Sequence, residues 1–319
     1  MKRLFISIIF LISTFTVFGQ SMETFAFVER DSTLYLDVYK PEISRSDKAS
    51  VVSLFGGGFI SGTRRDKHQK DVVKALTDKG FTVICIDYRL GMNNKQKEEE
   101  YNTLFTIDKR FKYCIDVAVE DCASAIAWLV SHADEIDIDP TKIVLTGASA
   151  GAITVLQLDY CRANSLPEAS AIPEGWKPAA VVPYAAGIMC KRKHLHYDTD
   201  PAPTMLMHGK KDKIVTYKSF GIPFHAKLFG SKKIDKCMRK QDIPHWFISF
   251  TGIGHEVAGW LPSSVELFCA FFDQTMAGRV TNLNATMTDT TLVPTKWTKM
   301  GVFGLYREKA REKEKAKNK

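Results

Sequence analysis

Apolar and polar residues alternate along residues 25–29 and 34–39, the period of half-exposed strands, and predict an antiparallel hairpin at the edge of a sheet. From residue 51 the texture changes. Segments 51–55, 81–86, 142–145, 179–182, 204–207 and 246–250 are short apolar runs rich in β-branched or aromatic residues, the pattern of strands buried on both faces. Helical periodicity separates several of them, at 69–79, 117–130, 150–162 and 264–276. In the second of these, Ala118, Cys122, Ala125, Ile126 and Leu129 fall on one face. The alternation predicts an α/β domain over residues 20–280: a mostly parallel sheet of about eight strands, the first two antiparallel, with helices on both faces. Residues 91–113 and 189–203 fit no element and are long enough to form the rim of a site, Tyr101, Phe105, Phe111 and Tyr113 among them.

The chemistry concentrates at the ends of those strands. Gly147-Ala148-Ser149-Ala150-Gly151 follows one buried strand directly and opens a helical pattern, the strand, tight turn and helix of a nucleophile elbow. Small residues are needed there because the turn strains the backbone and neighbouring chain passes close by. A serine hydroxyl needs a positioned base, and the base needs an orienting carboxylate. Asp212, in a loop after the 204–207 strand, and His255, just past the 246–250 strand, supply both in chain order. Asp198, Asp200 and Glu256 are alternatives for the carboxylate. His245 sits at the wrong end of its strand, His225 in a helical pattern, and His208 reads as a locally bonded residue. His194 and His196 have a weak metal spacing with no convincing third ligand. Phe55-Gly56-Gly57-Gly58-Phe59 lets backbone N–H groups approach a developing oxyanion, with Ala150 adding the N–H after the nucleophile.

Together with Ile86-Asp87-Tyr88-Arg89-Leu90, Ile126-Ala127-Trp128-Leu129 and Ile138-Asp139-Pro140, these motifs resemble the α/β-hydrolase superfamily. The likeness runs over residues 51–260 and is greatest to the carboxylesterase and carbohydrate-esterase branch near the hormone-sensitive-lipase-like enzymes. It implies a serine esterase with Ser149, Asp212 and His255 as triad and the N–H groups of Gly57, Gly58 and Ala150 as oxyanion donors. It implies no metal or organic cofactor. Two positions depart from the family: Phe55 stands where a histidine usually orders the glycine loop, and Ala152 where glycine is frequent. The expected substrate is a small-molecule or polysaccharide ester, with acetyl and feruloyl groups suggested by the resemblance. An exported peptidase on the same fold, or a binding protein that has lost catalysis, is the alternative.

Charge and cysteine content bound the partners. The chain has 319 residues and a formal charge of +8, of which Lys2 and Arg3 carry +2 and residues 296–319, with nine Lys or Arg against Glu308, Glu312 and Glu314, carry +6. A neutral body offers no basic face for nucleic acid. Lys2 and Arg3 precede an apolar run ending near Phe18, too short for a comfortable membrane span. Residues 1–19 therefore read as a signal peptide, with Val17 and Gly19 at the cleavage site, a mature chain from Gln20 and a secreted or periplasmic protein. Residues 281–319 read as an extension ending in a solvated basic tail. Seven cysteines, an odd number, leave at least one thiol unpaired.

Overall fold

The computed structural model describes residues 15–17, 20–103, 105–221, 225–288 and 293–317. The predicted signal segment lies outside them except for β1 (Phe15–Val17), which runs antiparallel to β2 (Gln20–Glu29). β2 pairs antiparallel with β3 (Thr33–Tyr39), the hairpin that the alternation predicts. Then come β4 (Ser50–Leu54), α1 (Lys67–Thr77), β5 (Thr82–Ile86), α2 (Lys95–Glu100), α3 (Ile107–Ser131), β6 (Ile143–Ala148), α4 (Ala150–Ala163) and β7 (Ala180–Tyr184). β8 (Gly187–Cys190), β9 (Thr204–Gly209), β10 (Ser219–Phe220), β11 (Lys227–Gly230), α5 (Ser231–Lys240), β12 (His245–Phe250) and α6 (Val265–Met276) follow. β13 (Leu283–Met287), α7 (Lys296–Lys299) and α8 (Val302–Lys317) complete the order.

Ten strands form the main sheet, in the order β1-β2-β3-β5-β4-β6-β7-β9-β12-β13, and β8, β10 and β11 form a small antiparallel second sheet. From β5 to β13 neighbours are parallel. Successive strand residues point to opposite faces, so each buried run feeds two cores. Val52, Leu54, Ile84, Ile86 and Leu145 join Ala118, Cys122 and Ile126 of α3 and Val155 and Leu158 of α4. Val51, Val83, Cys85 and Val144 join Val72 and Leu76 of α1 and Phe268, Phe271 and Phe272 of α6. With both faces covered, the loops at the carboxyl ends of the parallel strands are left to carry the site.

The mostly parallel sheet with helices on both faces is as expected; its ten strands include β1 and β13 at the edges, and in β13 Leu283, Ala285 and Met287 alternate with Asn284 and Thr286 on a half-exposed strand. Two expectations are corrected. Residues 91–113 are not irregular. They contain a short 3₁₀ turn and α2, and α3 begins at Ile107, where the charged side chains are taken up by ion pairs such as Lys112 with Asp116 and Glu168. The domain does not close at residue 280, since β13 extends the sheet beside β12 and residues 295–306 fold back over the body, with Leu305 buried. All seven thiols are unpaired. Among the described residues no helix is long and apolar enough to cross a membrane.

Candidate active site

The strand β6 delivers Ser149 into a turn with φ 53° and ψ −113°, a left-handed conformation that costs a non-glycine residue energy and is held only by its surroundings. Those surroundings admit no side chains. A Cβ on Gly147 would lie 2.6 Å from the Gly151 carbonyl carbon, and one on Gly151 would lie 2.3 Å from the Leu54 oxygen. The two glycines of the motif are thus fixed by close packing of β4, β6 and the start of α4.

His255 opens a 3₁₀ turn after β12, and Asp212 follows β9. His255 Nε2 is 2.8 Å from Ser149 Oγ, and His255 Nδ1 is 2.8 Å from Asp212 Oδ2. The other carboxylate oxygen of Asp212 accepts from the N–H groups of Ile214 and Val215 at 2.9 and 3.0 Å. Burial by itself would raise the pKa of Asp212. Attraction to His255 and the hydrogen bond from His208 outweigh it and hold the carboxyl well below the usual range. An ionised acceptor at Nδ1 requires the proton on that nitrogen, which leaves Nε2 to accept from the serine hydroxyl.

The glycine loop leaves β4 beside the nucleophile: a Cβ on Gly56 would stand 3.4 Å from Ser149 Cβ. Gly57 and Gly58 have φ of +116° and +65°, and a Cβ on Gly57 would fall 2.0 Å from the Ser61 oxygen. Among the described residues, no protein oxygen accepts from the N–H of Gly57, Gly58 or Ala150. Free, fixed donors on two loops flanking a serine suit a developing oxyanion. Phe55 does not leave this loop slack. Its ring stacks on Tyr88 at 4.3 Å, and the Tyr88 hydroxyl donates to the Phe55 carbonyl at 2.7 Å. Tyr88→Phe should therefore cost about 1–3 kcal/mol, the range for stranding a buried carbonyl; urea denaturation reads it, and an unchanged midpoint would contradict it.

The BD-FAE family model matches residues 36–166, which take in the glycine loop and the elbow but neither Asp212 nor His255. Over 110 residues the chain is 29% identical to Lipase 2 of Moraxella sp. (strain TA144), covering 34% of this chain and 21% of that protein. Over 146 residues it is 29% identical to an arylesterase of Saccharolobus solfataricus, covering 45% of this chain and 40% of that protein. The chain spans less than half the length of these curated relatives. The native structure of an esterase from the planctomycete Thermogutta terrifontis matches with a TM-score of 0.55 at 20% identity, over 81% of this chain and 93% of that one.

The chain has the α/β-hydrolase fold.

Within that fold the other candidates find different employment. His245 lies at the start of β12, bonded to Asp235 at 3.1 Å and to the Ile243 carbonyl. His225 is in a bend before β11 rather than a helix, 3.2 Å from Asp108. His196 faces Asp198 at 3.7 Å, and Asp198 is held by Arg192. Asp200 is exposed, and Arg162 donates to its backbone carbonyl. Among the described residues no group of three His, Cys, Asp or Glu could hold a metal.

The sequence reading passed over three contacts. Buried His208 is bonded locally, as expected, to the Val215 carbonyl at 2.9 Å and Ser231 Oγ at 2.8 Å, but its Nε2 also lies 3.4 Å from Asp212 Oδ2. The spacing of four between His208 and Asp212 is the signal that could have shown it. Glu256, next to His255, accepts from Thr295 and Thr298. Tyr306 reaches Gly58 from α8; a tyrosine beside a leucine just ahead of a charge run was the available clue.

Proposed function

We propose that this protein is a serine hydrolase that cleaves carboxylic esters through an acyl-enzyme intermediate. One observation carries the reading: a strained Ser149 whose Oγ lies 2.8 Å from His255 Nε2, with His255 Nδ1 2.8 Å from a buried carboxylate. His255 takes the Ser149 proton as Oγ attacks the ester carbonyl, and Gly57, Gly58 and Ala150 N–H groups stabilise the resulting oxyanion. His255 then protonates the departing alcohol as the ester bond breaks, leaving the acyl group on Oγ. A water molecule, deprotonated by His255, attacks the acyl-enzyme, and the proton returns to Ser149 as the acid leaves. Asp212 stays ionised throughout and stabilises the imidazolium, as its depressed pKa supports.

The names of the relatives, a lipase and an arylesterase, support esters over amides. Acetyl or feruloyl esters of polysaccharides and short-chain carboxylic esters are the proposed substrates. Lys2, Arg3 and the apolar run after them support an export segment at residues 1–19 and a secreted or periplasmic enzyme. The test is a panel of acetylated xylan, feruloyl esters, p-nitrophenyl esters of graded chain length and aminoacyl amides. Turnover of esters is expected, and turnover of amides alone would make the protein a peptidase.

A further inference from the structure

Three loops must hold their relative positions for the proposed reaction: the glycine loop after β4, the Asp212 loop after β9 and the His255 turn after β12. One segment outside the predicted domain touches all three. At its start, Glu256 accepts from the N–H and hydroxyl of Thr295 at 2.7 and 2.8 Å and from the N–H of Thr298 at 2.9 Å. Thr298 Oγ1 in turn accepts from the N–H of Gly254, the residue before His255, at 3.1 Å. The approach is close enough that a Cβ on Gly254 would stand 2.7 Å from Thr298 Cα. Midway, Gly301 forms a parallel bridge with Lys213, the residue after Asp212. At its end, the Tyr306 hydroxyl donates to the Gly58 carbonyl at 3.0 Å, Leu305 Cδ2 lies 3.2 Å from where a Gly58 Cβ would be, and Phe111 backs the Tyr306 ring at 5.7 Å.

Glycine rotates more freely about φ and ψ than any other residue, so a loop containing Gly56, Gly57 and Gly58 aims its N–H groups only as well as its anchors allow. Phe55 brings no polar side-chain atom to that loop; Tyr88 holds the Phe55 carbonyl, Ile60 and Ser61 N–H groups hold the Gly57 carbonyl and Met92 N–H holds the Phe59 carbonyl, which leaves the Gly58 carbonyl to Tyr306. The bond from Tyr306 to the Gly58 carbonyl fixes the far side of the same loop and so the plane from which the Gly58 N–H projects. Preorganised donors stabilise a transition state because they need no reorientation when charge appears. At the other end, Thr298 Oγ1 shares the Gly254 N–H with Glu256 Oε2, 3.0 Å away, and so helps to hold the backbone from which His255 swings.

We propose that residues 295–306 form a strap that sets the catalytic loops against one another, with Tyr306 the positioning residue of the oxyanion loop and Thr298 that of the His255 turn. The proposal rests on the serine esterase reading. Neither residue touches the reacting atoms; each acts through a loop that does.

Tyr306→Phe and Thr298→Val remove one hydroxyl each from opposite ends of the strap. Wild type and both variants are compared for kcat and KM on p-nitrophenyl acetate, for the rate at which a fluorophosphonate probe labels Ser149, and for Tm. For Tyr306→Phe, kcat and the labelling rate should fall together by about three- to tenfold, the range for one hydrogen bond, with KM within about twofold of wild type. Thr298→Val should lower kcat by a similar factor. A merely structural contact would lower Tm and leave kcat and the labelling rate of the folded protein at wild-type values; that outcome in both variants overturns the strap and leaves the esterase reading standing. Wild-type protein that neither hydrolyses the ester nor takes up the probe overturns the esterase reading and the strap with it.

Discussion

Ser149→Ala should lower kcat for p-nitrophenyl acetate by about 10⁵–10⁶-fold while moving Tm by no more than about 4 °C. The first half follows from the division of labour in the triad. Without Oγ there is nothing for His255 to activate, and only the oxyanion donors and substrate binding remain. The second half follows from the turn. Alanine keeps the Cβ that makes φ 53° costly, so the strain at the elbow is unchanged and only the hydroxyl's bond to His255 is lost. Asp212→Asn is the companion measurement. It removes the charge that holds the proton on His255 Nδ1, and a loss of about 10⁴-fold in kcat is expected on the precedent of such triads. Ser149→Ala protein with undiminished turnover would refute the assignment.

Gly57→Ala should lower kcat by about 10²–10³-fold, the range for losing one oxyanion donor, and destabilise the fold by about 1–3 kcal/mol. Two independent features point the same way. At φ +116° an alanine is strained whatever its surroundings, and its Cβ would sit 2.0 Å from the Ser61 backbone oxygen, so the loop must move. Any such movement carries the N–H groups of Gly57 and Gly58 away from Ser149. Gly175→Ala separates backbone strain from displacement of the site, because Gly175 also has a left-handed φ of +74° but nothing lies within 4 Å of its Cβ position. That variant should lose about 1 kcal/mol of stability and no activity. The kcat of both variants and their urea denaturation midpoints check the pair; equal activity in the two would contradict the placement of the oxyanion loop.

The central architecture was legible because burial on both faces writes itself into sequence as continuous apolar runs. Segments 51–55, 81–86 and 204–207 became β4, β5 and β9 within a residue or two at each end. The meeting of Ser149, His255 and Asp212 was legible for a related reason: all three stand at strand ends, where Gly147, Gly151 and Gly209 mark backbone too close for side chains. What the sequence hid lies where burial is one-sided or contacts are far apart in the chain. The strand β13 is half-exposed and alternates Leu283, Ala285 and Met287 with Asn284 and Thr286, so it lacks the continuous apolar run that betrays a central strand. The early start of α3 was obscured by Lys112 and Asp116, which satisfy each other on a half-buried face. The strap depends on Tyr306 meeting Gly58 and Thr298 meeting Gly254, pairings that no local pattern encodes, and the basic residues after it drew the segment into an apparent tail. Part of the +6 excess of residues 296–319 therefore belongs to a packed part of the fold.

The central claim is that Ser149 carries the acyl group between ester and water. It is tested most directly by mixing the protein with p-nitrophenyl acetate, quenching in acid before the first turnover is complete and mapping the adduct by mass spectrometry. One acetyl group per chain on the peptide containing Ser149, formed together with a burst of p-nitrophenol and absent from Ser149→Ala, is the predicted result. Turnover of the ester with no acetyl at Ser149, or with the acetyl on another residue, would contradict it.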